Sequence, residues 1–439
     1  MQQDAEKRRR FGQGRRRTLK RSEQSFWDPK RRSYDPLKAI LKANAGRVAE
    51  LLPIKMARMA ASPFGFFRGS VPLMAADLAL LPNTGIEVQI CGDAHVHNLG
   101  AFEAPDGRLI FDINDFDETT PAPWEWDVKR MAASLVLAGR EAGNSESWCK
   151  QSVLEFVRAY RELMLQFSHM AAVDVARYRI HRLFEGQTGM AVLRKAERGT
   201  PLHSLERMTR RVRGGRIFRV VKPVLTRPSR ATAKEVLRAL APYRQTLPPE
   251  RQHVLDFYHP VDVAFKIVGT GSVGTRDYVV LCFGNGPGDP LFLQIKEEPA
   301  SGYAPYVKTQ GALHQGQRVV FGQRRMQTHS DILLGWTSIA GRDYLVRQLA
   351  DHKGCIEDAD LQGKGLMHYA RVCGEVLAKG HAHSGDACVL GGYLGTKDIF
   401  DQAIAKFAVS YADQTAKDHE RFKAAIRRGE VKSARRTYL

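Results

Sequence analysis

Long apolar runs are missing from this sequence. None approaches the roughly 20 residues needed to cross a bilayer, so no membrane-spanning segment is expected. The N-terminus, MQQDAEKRRRFGQGRRRTLKR, carries basic residues with no apolar core behind them, which argues against a signal peptide. Cysteine is sparse. Its six residues (Cys91, Cys149, Cys282, Cys355, Cys373 and Cys388) are scattered and include no CxxC pair, so reduced thiols in a cytoplasmic protein are the simplest expectation. No internal repeat and no zinc-finger spacing is present. Acids are also in short supply: 47 Asp and Glu against 67 Lys and Arg leave a net charge of +20.

Part of that excess is local. Residues 1–34 hold 12 Lys and Arg against 4 acids, and a second cluster runs from Arg207 to Arg230. Such density can hold nucleic acid or phosphate-rich partners, although no aromatic interleaving turns it into a specific nucleic-acid motif. Residues 1–34 read as a flexible basic arm. From Asp35 to Leu81 apolar residues recur at spacings of three and four, a helical pattern, interrupted by the aromatic loop SPFGFFRG (62–69). Strands IEVQICG and RLIFDIN follow, with the turn-like APDG between them, then long helices over Glu125–Ala142 and Ser145–Ala171. The stretch 180–255 is basic and helical or irregular. Around Val261 the character turns to β, with strands DVAFKIVG, YVVLCFG and LFLQIKEE, a helix at 309–326, and strands DILLGWTSI and DYLVRQL. The C-terminal part is helical.

Three groups of residues carry chemistry. Asp93 and Asn98 stand five residues apart on a tight loop leaving a strand. Phosphotransfer from ATP needs a carboxylate to orient and deprotonate a hydroxyl, and an amide oxygen nearby to hold a metal ion. Seventeen residues after Asn98, the strand LIFDIN runs into Asp115, placed to hold Mg²⁺ against phosphates; Asp112 competes for this role, but strand alternation puts the two on opposite faces. Far downstream, Gly269-Thr270-Gly271-Ser272-Val273-Gly274 is a GxGxxG between strands, where the backbone can approach phosphates closely. Dinucleotide-binding folds open a helix with this motif, whereas a strand follows here, which suits a phosphate lid; Lys296 on a later strand would contact the α- and β-phosphates. Arg68 in SPFGFFRG can reach acceptor or phosphate, or serve as a buried structural arginine. His95-x-His97 and the His381-x-His383 pair could ligate metal, but hydrogen bonding and helix capping also account for them.

The blocks SPFGFFRG, CGDAHVHNLG, FDINDFDE, WEWDVKRMAASL, GTGSVGTRDYVVL, LFLQIKEE, GQRVVFGQRRMQ and GHAHSGDA resemble an uncharacterised bacterial family catalogued as domain of unknown function 2252, over roughly residues 35–425. More distantly, Cys91-Gly92-Asp93 through Asn98, Asn114-Asp115-Phe116 and Trp126-Asp127-Val128 resemble the catalytic blocks of aminoglycoside and choline phosphotransferases, with Cys91 where a histidine is usual. That resemblance implies Asp93 as catalytic base, Asn98 and Asp115 as metal ligands, and Asp127 as an anchor for the catalytic loop. In those enzymes the glycine loop and strand lysine precede the catalytic loop. Here they follow it by some 170 residues, so the resemblance implies a circularly permuted lobe order. The helix after Lys296 carries no acid, which leaves the usual Lys–Glu pair without a partner.

The expectation is therefore an α+β, two-lobed kinase-like fold: a basic arm (1–34), a helical catalytic lobe from both ends of the chain (35–255 and 351–439), and a β-rich nucleotide lobe (256–350). The expected reaction moves the γ-phosphoryl group of ATP, with Mg²⁺, to a hydroxyl of a small molecule or protein. The rivals are a nucleotide-binding pseudoenzyme or nucleotidyl transferase, a metal-dependent hydrolase built on Asp93, His95, His97 and the His381/His383 pair, and a nucleic-acid-binding protein using the basic segments.

Overall fold

Apolar spacing and capping place the first helices. In the computed structural model, which describes residues 4–180, 200–267, 269, 271–308, 314–349 and 354–434, α1 (Ala5–Gly14) is followed by short 3₁₀ turns and then by α2 (Pro36–Ala43), α3 (Leu52–Ala60), α4 (Pro63–Gly69) and α5 (Val71–Ala79). Asp35 caps α2, accepting from the Leu37 and Lys38 amides, and Pro36 occupies the first turn, where its missing N–H costs nothing. SPFGFFRG, expected to be a loop, is helical: Ser62 caps it, Pro63 opens it, and Phe64, Phe66 and Phe67 are buried.

Next come β1 (Glu87–Ile90), β2 (Leu99–Glu103), β3 (Leu109–Ile113) and β4 (Thr120–Pro123). The APDG turn joins β2 to β3 as a hairpin, while β1 pairs with β4 across it. The long helices α6 (Glu125–Glu141) and α7 (Glu146–Phe167) follow, then α8 (Ala172–Arg177). Residues 181–199 of the basic stretch lie outside the described residues. Beyond them are α9 (Pro201–Met208), the small hairpin β5–β6 (Thr209–Val212, Gly215–Phe218), β7 (Leu225–Thr226), α10 (Arg230–Arg238), α11 (Leu240–Arg244) and α12 (Pro249–Asp256).

The β-rich part is a sheet of six strands, in the order β11-β12-β10-β9-β8-β7, formed by β7 with β8 (His259–Lys266), β9 (Asp277–Phe283), β10 (Pro290–Glu297), β11 (Gly335–Ile339) and β12 (Arg342–Gln348). Strand alternation divides its residues. Val263, Tyr278, Val280, Leu293, Ile295 and Tyr344 face α10 and α11, packing on Val236 and Tyr243. Ala264, Val279, Leu281 and Phe292 face the opposite way, against Leu205 and Met208 of α9. The expected start of this region at residue 256 is thus too late: the chain from Pro201 onward already belongs to the sheet's core. α13 (Gln315–Met326) puts Val319, Val320 and Met326 into the helical core.

That larger core draws on both ends of the chain. α14 (Lys364–Ser384), α15 (Ala387–Leu394) and α16 (Ile399–Arg427) close on α6 and α7, and β13 (Gly354–Cys355) adds an edge to β2. α14 approaches α7 so closely that a Cβ on Gly374 would sit 2.2 Å from the Phe156 carbonyl oxygen.

The N-terminal segment is packed, contrary to the expected flexible arm. Arg16 donates to the carbonyls of Gly392 and Tyr393, and Arg21 to that of Leu394, placing cations at the C-terminus of α15. Arg32 forms bidentate pairs with Asp77 of α5 and Asp418 of α16, at 2.6–3.0 Å. Several of the arm's charges are therefore committed within the fold. Arg32→Ala leaves Asp77, with 0% of its side chain exposed, buried without its cation; the expected loss is about 3–5 kcal/mol in denaturant unfolding. A loss under about 1 kcal/mol would show the segment undocked in solution.

Candidate active site

The hairpin β2–β3 and the loop before it are held from below by α6. Asp127, fully buried, accepts the backbone amides of Cys91 (2.8 Å) and Gly92 (3.0 Å). Gly92 has φ of +81°, and a Cβ there would lie 2.3 Å from the Glu118 carbonyl oxygen, so the turn requires glycine. One helical turn beyond Asp127, Arg130 places its Nε and Nη2 at 2.9 and 2.6 Å from Asp93 Oδ1. That clamp fixes the carboxylate and leaves Oδ2 facing His95 Nε2 at 3.6 Å. Burial pushes the Asp93 pKa up to about 6 against the opposing pull of Arg130, and 16% of the side chain is still exposed.

Asn98 commits its amide nitrogen to the backbone oxygens of Asp93 (2.8 Å) and Asp115 (3.2 Å). Asp115 keeps 38% of its side chain exposed. Asp112 turns the other way and is buried against Lys379 of α14, so it takes no part in this site.

Lys296, 2% exposed, reaches from β10 to Asp117, 2.6 Å from Oδ1 and also in contact with Oδ2, and stands 3.7 Å from Asp115. Burial works against its charge, and the two carboxylates overcome burial to raise its pKa. Asp115 and Asp117 form a close, partly exposed pair: desolvation and mutual repulsion drive one carboxyl toward its protonated form, while Lys296 and Arg347 keep the other ionised. The partner of Lys296 is thus Asp117 and not an acid on α13. That helix contributes Arg318 instead, whose guanidinium donates to the backbone oxygens of Asp117 and Thr119 at 2.8 and 2.7 Å.

The glycine motif lies between β8 and β9, and its described residues form turns without a helix. Thr270 lies outside the described residues. Gly269 has φ of +55°. Ser272 Oγ donates to Asp117 Oδ2 at 3.2 Å. Arg47 clamps the loop from the helical side, its Nη1 2.8 Å from the Gly271 oxygen and 2.7 Å from that of Val273; Gly274 packs on its aliphatic stem.

Asp93, Asn98, Asp115, Arg68, Gly269, Gly271 and Ser272 all line one cavity of about 1010 Å³, with Lys296 beneath Asp117 at its edge and Gly274 behind it. The two histidine pairs do not converge. His95 and His97 line the cavity, and burial holds His95 neutral. His381 is buried 2.8 Å from the Tyr160 hydroxyl and 3.4 Å from Asp127, and His383 Nε2 is 3.0 Å from the Val175 oxygen. Sequence reasoning did not single out Arg130, Asp117, Arg47 or Arg318. Arg130 was signalled by its place one turn after Asp127 in WEWDVKR; the others depend on tertiary contacts between distant segments.

Asp127→Ala orphans two buried amides. At about 1–3 kcal/mol each, the expected cost is about 2–6 kcal/mol in thermal or urea unfolding. A neutral substitution would remove Asp127 as the anchor of this loop.

No curated protein and no solved structure matches the chain. The profile of a family described as "Uncharacterized protein conserved in bacteria" does match, over residues 47–425. With most of its length covered, the chain belongs to this family, DUF2252.

Proposed function

We propose that this protein is a phosphotransferase that uses ATP and Mg²⁺ and delivers a phosphoryl group to a hydroxyl. One observation carries the reading: the loop with Asp93 and Asn98, the strand end with Asp115, and the glycine hairpin with Ser272 and Gly271 face one another across a single cavity, although some 170 residues separate them in the chain. The donor set fits the cofactor. Mg²⁺ prefers one or two protein oxygens plus phosphates and water, and Asn98 and Asp115 offer that number. Bound ATP and Mg²⁺ would supply the transferable group and neutralise its charge.

The chain's own residues do the rest. Arg130 fixes Asp93 through Oδ1, so Oδ2 is the atom that takes the acceptor's hydroxyl proton. Asn98 ties the loop to Asp115 through backbone oxygens, which sets the spacing of base and metal ligand. Lys296 and Ser272 hold Asp117 from the sheet side, docking the glycine hairpin over the carboxylates. This division of labour, positioning plus electrostatics, is what phosphoryl transfer demands.

A non-hydrolysable ATP analogue with Mg²⁺ is expected to raise the melting temperature, by an amount equivalent to about 2.7 kcal/mol at 100 times Kd. Asp115→Ala should abolish the Mg²⁺-dependent part. Asp93→Asn should bind the analogue normally yet slow ATP turnover to water by about 10²–10⁴-fold, the usual contribution of a general base. Absence of any nucleotide-dependent shift, or an unchanged Mg²⁺ response in Asp115→Ala, would overturn the reading.

A further inference from the structure

With a volume of about 1010 Å³, the cavity lies at the top of the range of about 300–1,000 Å³ usual for ligand pockets. It includes an arm walled by α2, α3, α5 and the stretch 299–306, where Lys38, Lys42 and Lys55 join the lining; α3 also borders the glycine hairpin, Ile54 packing with Val273. The charges of the two regions are answered differently.

The carboxylates of the lining mostly have protein partners. Asp93 has Arg130, Asp117 has Lys296, Glu297 has Arg276 and Arg342, and Asp35 has Arg421 and the amides of α2. Glu118 accepts from the Gly302 amide and Ser301. Glu298 is the exception, and burial favours its neutral form.

The cations of the arm are not so matched. Lys55 is 3% exposed, and its Nζ is 2.8 Å from the neutral Asn44 Oδ1. The Asn44 nitrogen is itself committed to the Ile40 carbonyl at 2.7 Å, so the amide cannot turn. No salt bridge joins Lys38, Lys42, Arg47 or Lys55 to a carboxylate among the described residues, and Arg47 spends its Nη1 on two carbonyls. A buried ammonium without a salt-bridge partner is costly; burial and then the neighbouring Arg47 press Lys55 toward its neutral form, outweighing the attraction of Glu118. An anionic ligand would relieve that cost, and Lys38 and Lys42 at the mouth would draw it in.

We propose that this arm is the acceptor site and that the acceptor is a small hydroxyl compound carrying its own phosphate or carboxylate, engaged by Lys55 at the floor and by Lys42 at the entrance. The anion site stands on the charges of the arm; its role as acceptor site rests on the phosphotransferase reading. The test titrates inorganic phosphate and, separately, malonate into the protein alone and into protein saturated with a non-hydrolysable ATP analogue and Mg²⁺, following the melting temperature. At least one anion is expected to stabilise both forms, and whichever acts more strongly identifies the group. Lys55→Met, which keeps the volume and removes the buried charge, should weaken that anion at least tenfold while leaving analogue affinity unchanged. Lys42→Ala should weaken it several-fold. A wild-type protein indifferent to both anions, or Lys55→Met responding like wild type, would overturn the proposal. So would competition between anion and nucleotide, or a tenfold loss of nucleotide affinity in Lys55→Met, since Lys55 would then serve the nucleotide's own phosphates. Anion binding through Lys55 without any nucleotide binding would keep the anion site and remove the phosphotransferase reading.

Discussion

Contact between Lys296 and the Asp115/Asp117 pair is the interaction on which the rest of the site depends. Lys296 sits on the central strand β10, buried on both faces, and the two carboxylates end the hairpin of the helical core. An isolated buried charge on either side would be strongly unfavourable. Together they make approach of the sheet to the hairpin a condition for satisfying three ionisable groups. Ser272 and Arg318 add hydrogen bonds to the same short segment, so the glycine hairpin and α13 are positioned by the same contact. Because the cluster is only partly closed to the cavity, with Asp115 still 38% exposed, the charge that organises the fold is also available to a ligand.

A second layer of control lies beneath. Asp127 and Arg130, one turn apart on a buried helix, set the backbone of the Cys91–Asp93 turn and the carboxylate of Asp93 respectively. Both act from the interior, where the surrounding packing holds side chains in single rotamers. Preorganisation of this kind costs folding stability, because Arg130 and Asp127 are buried polar groups that contribute only when fully paired. The helical core is large enough to absorb that cost, drawing on α6, α7, α14 and α16.

Much of this was legible in the sequence, and the exceptions have physical causes. The strands from His259 to Gln348 and the long helices carry strong periodicity, and the structure follows it. SPFGFFRG reads as a loop because Gly65 and Gly69 lower helix propensity; the Ser-Pro start signal and the burial of three phenylalanines outweigh them. The arm at 1–34 looked mobile because its charges dominate its composition. Their partners, Asp77, Asp418 and the carbonyls ending α15, are far away in sequence. The helix Arg230–Arg238 has an amphipathic pattern that does not say which core it covers; Val236, and Tyr243 bonded to the Leu333 carbonyl at 2.5 Å, assign this stretch to the sheet. Strand alternation separates Asp112 from Asp115, and the place of Asp115 at the strand end, before Phe116, singles it out. The partner of Lys296 could not be read from spacing, because α13 carries Arg318 where an acid was sought.

Chain order adds one constraint that local pattern cannot supply. The helical core is assembled mainly from residues before 181 and after 353, with Tyr303, Val319, Val320, Met326, Leu334 and Leu345 joining it from between, so most of the sheet region is an excursion between its halves. Closing such a loop is inexpensive, since each doubling of length adds only about 0.6 kcal/mol. The sheet region also carries its own hydrophobic core, which shortens the effective excursion once it folds. What the order changes is kinetics. The contacts that complete the helical core are of high sequence separation, a feature that slows folding, whereas the hairpins β8–β9 and β11–β12 close locally. The sheet's hairpins can therefore form locally, whereas the contact of Lys296 with Asp117 joins segments 179 residues apart.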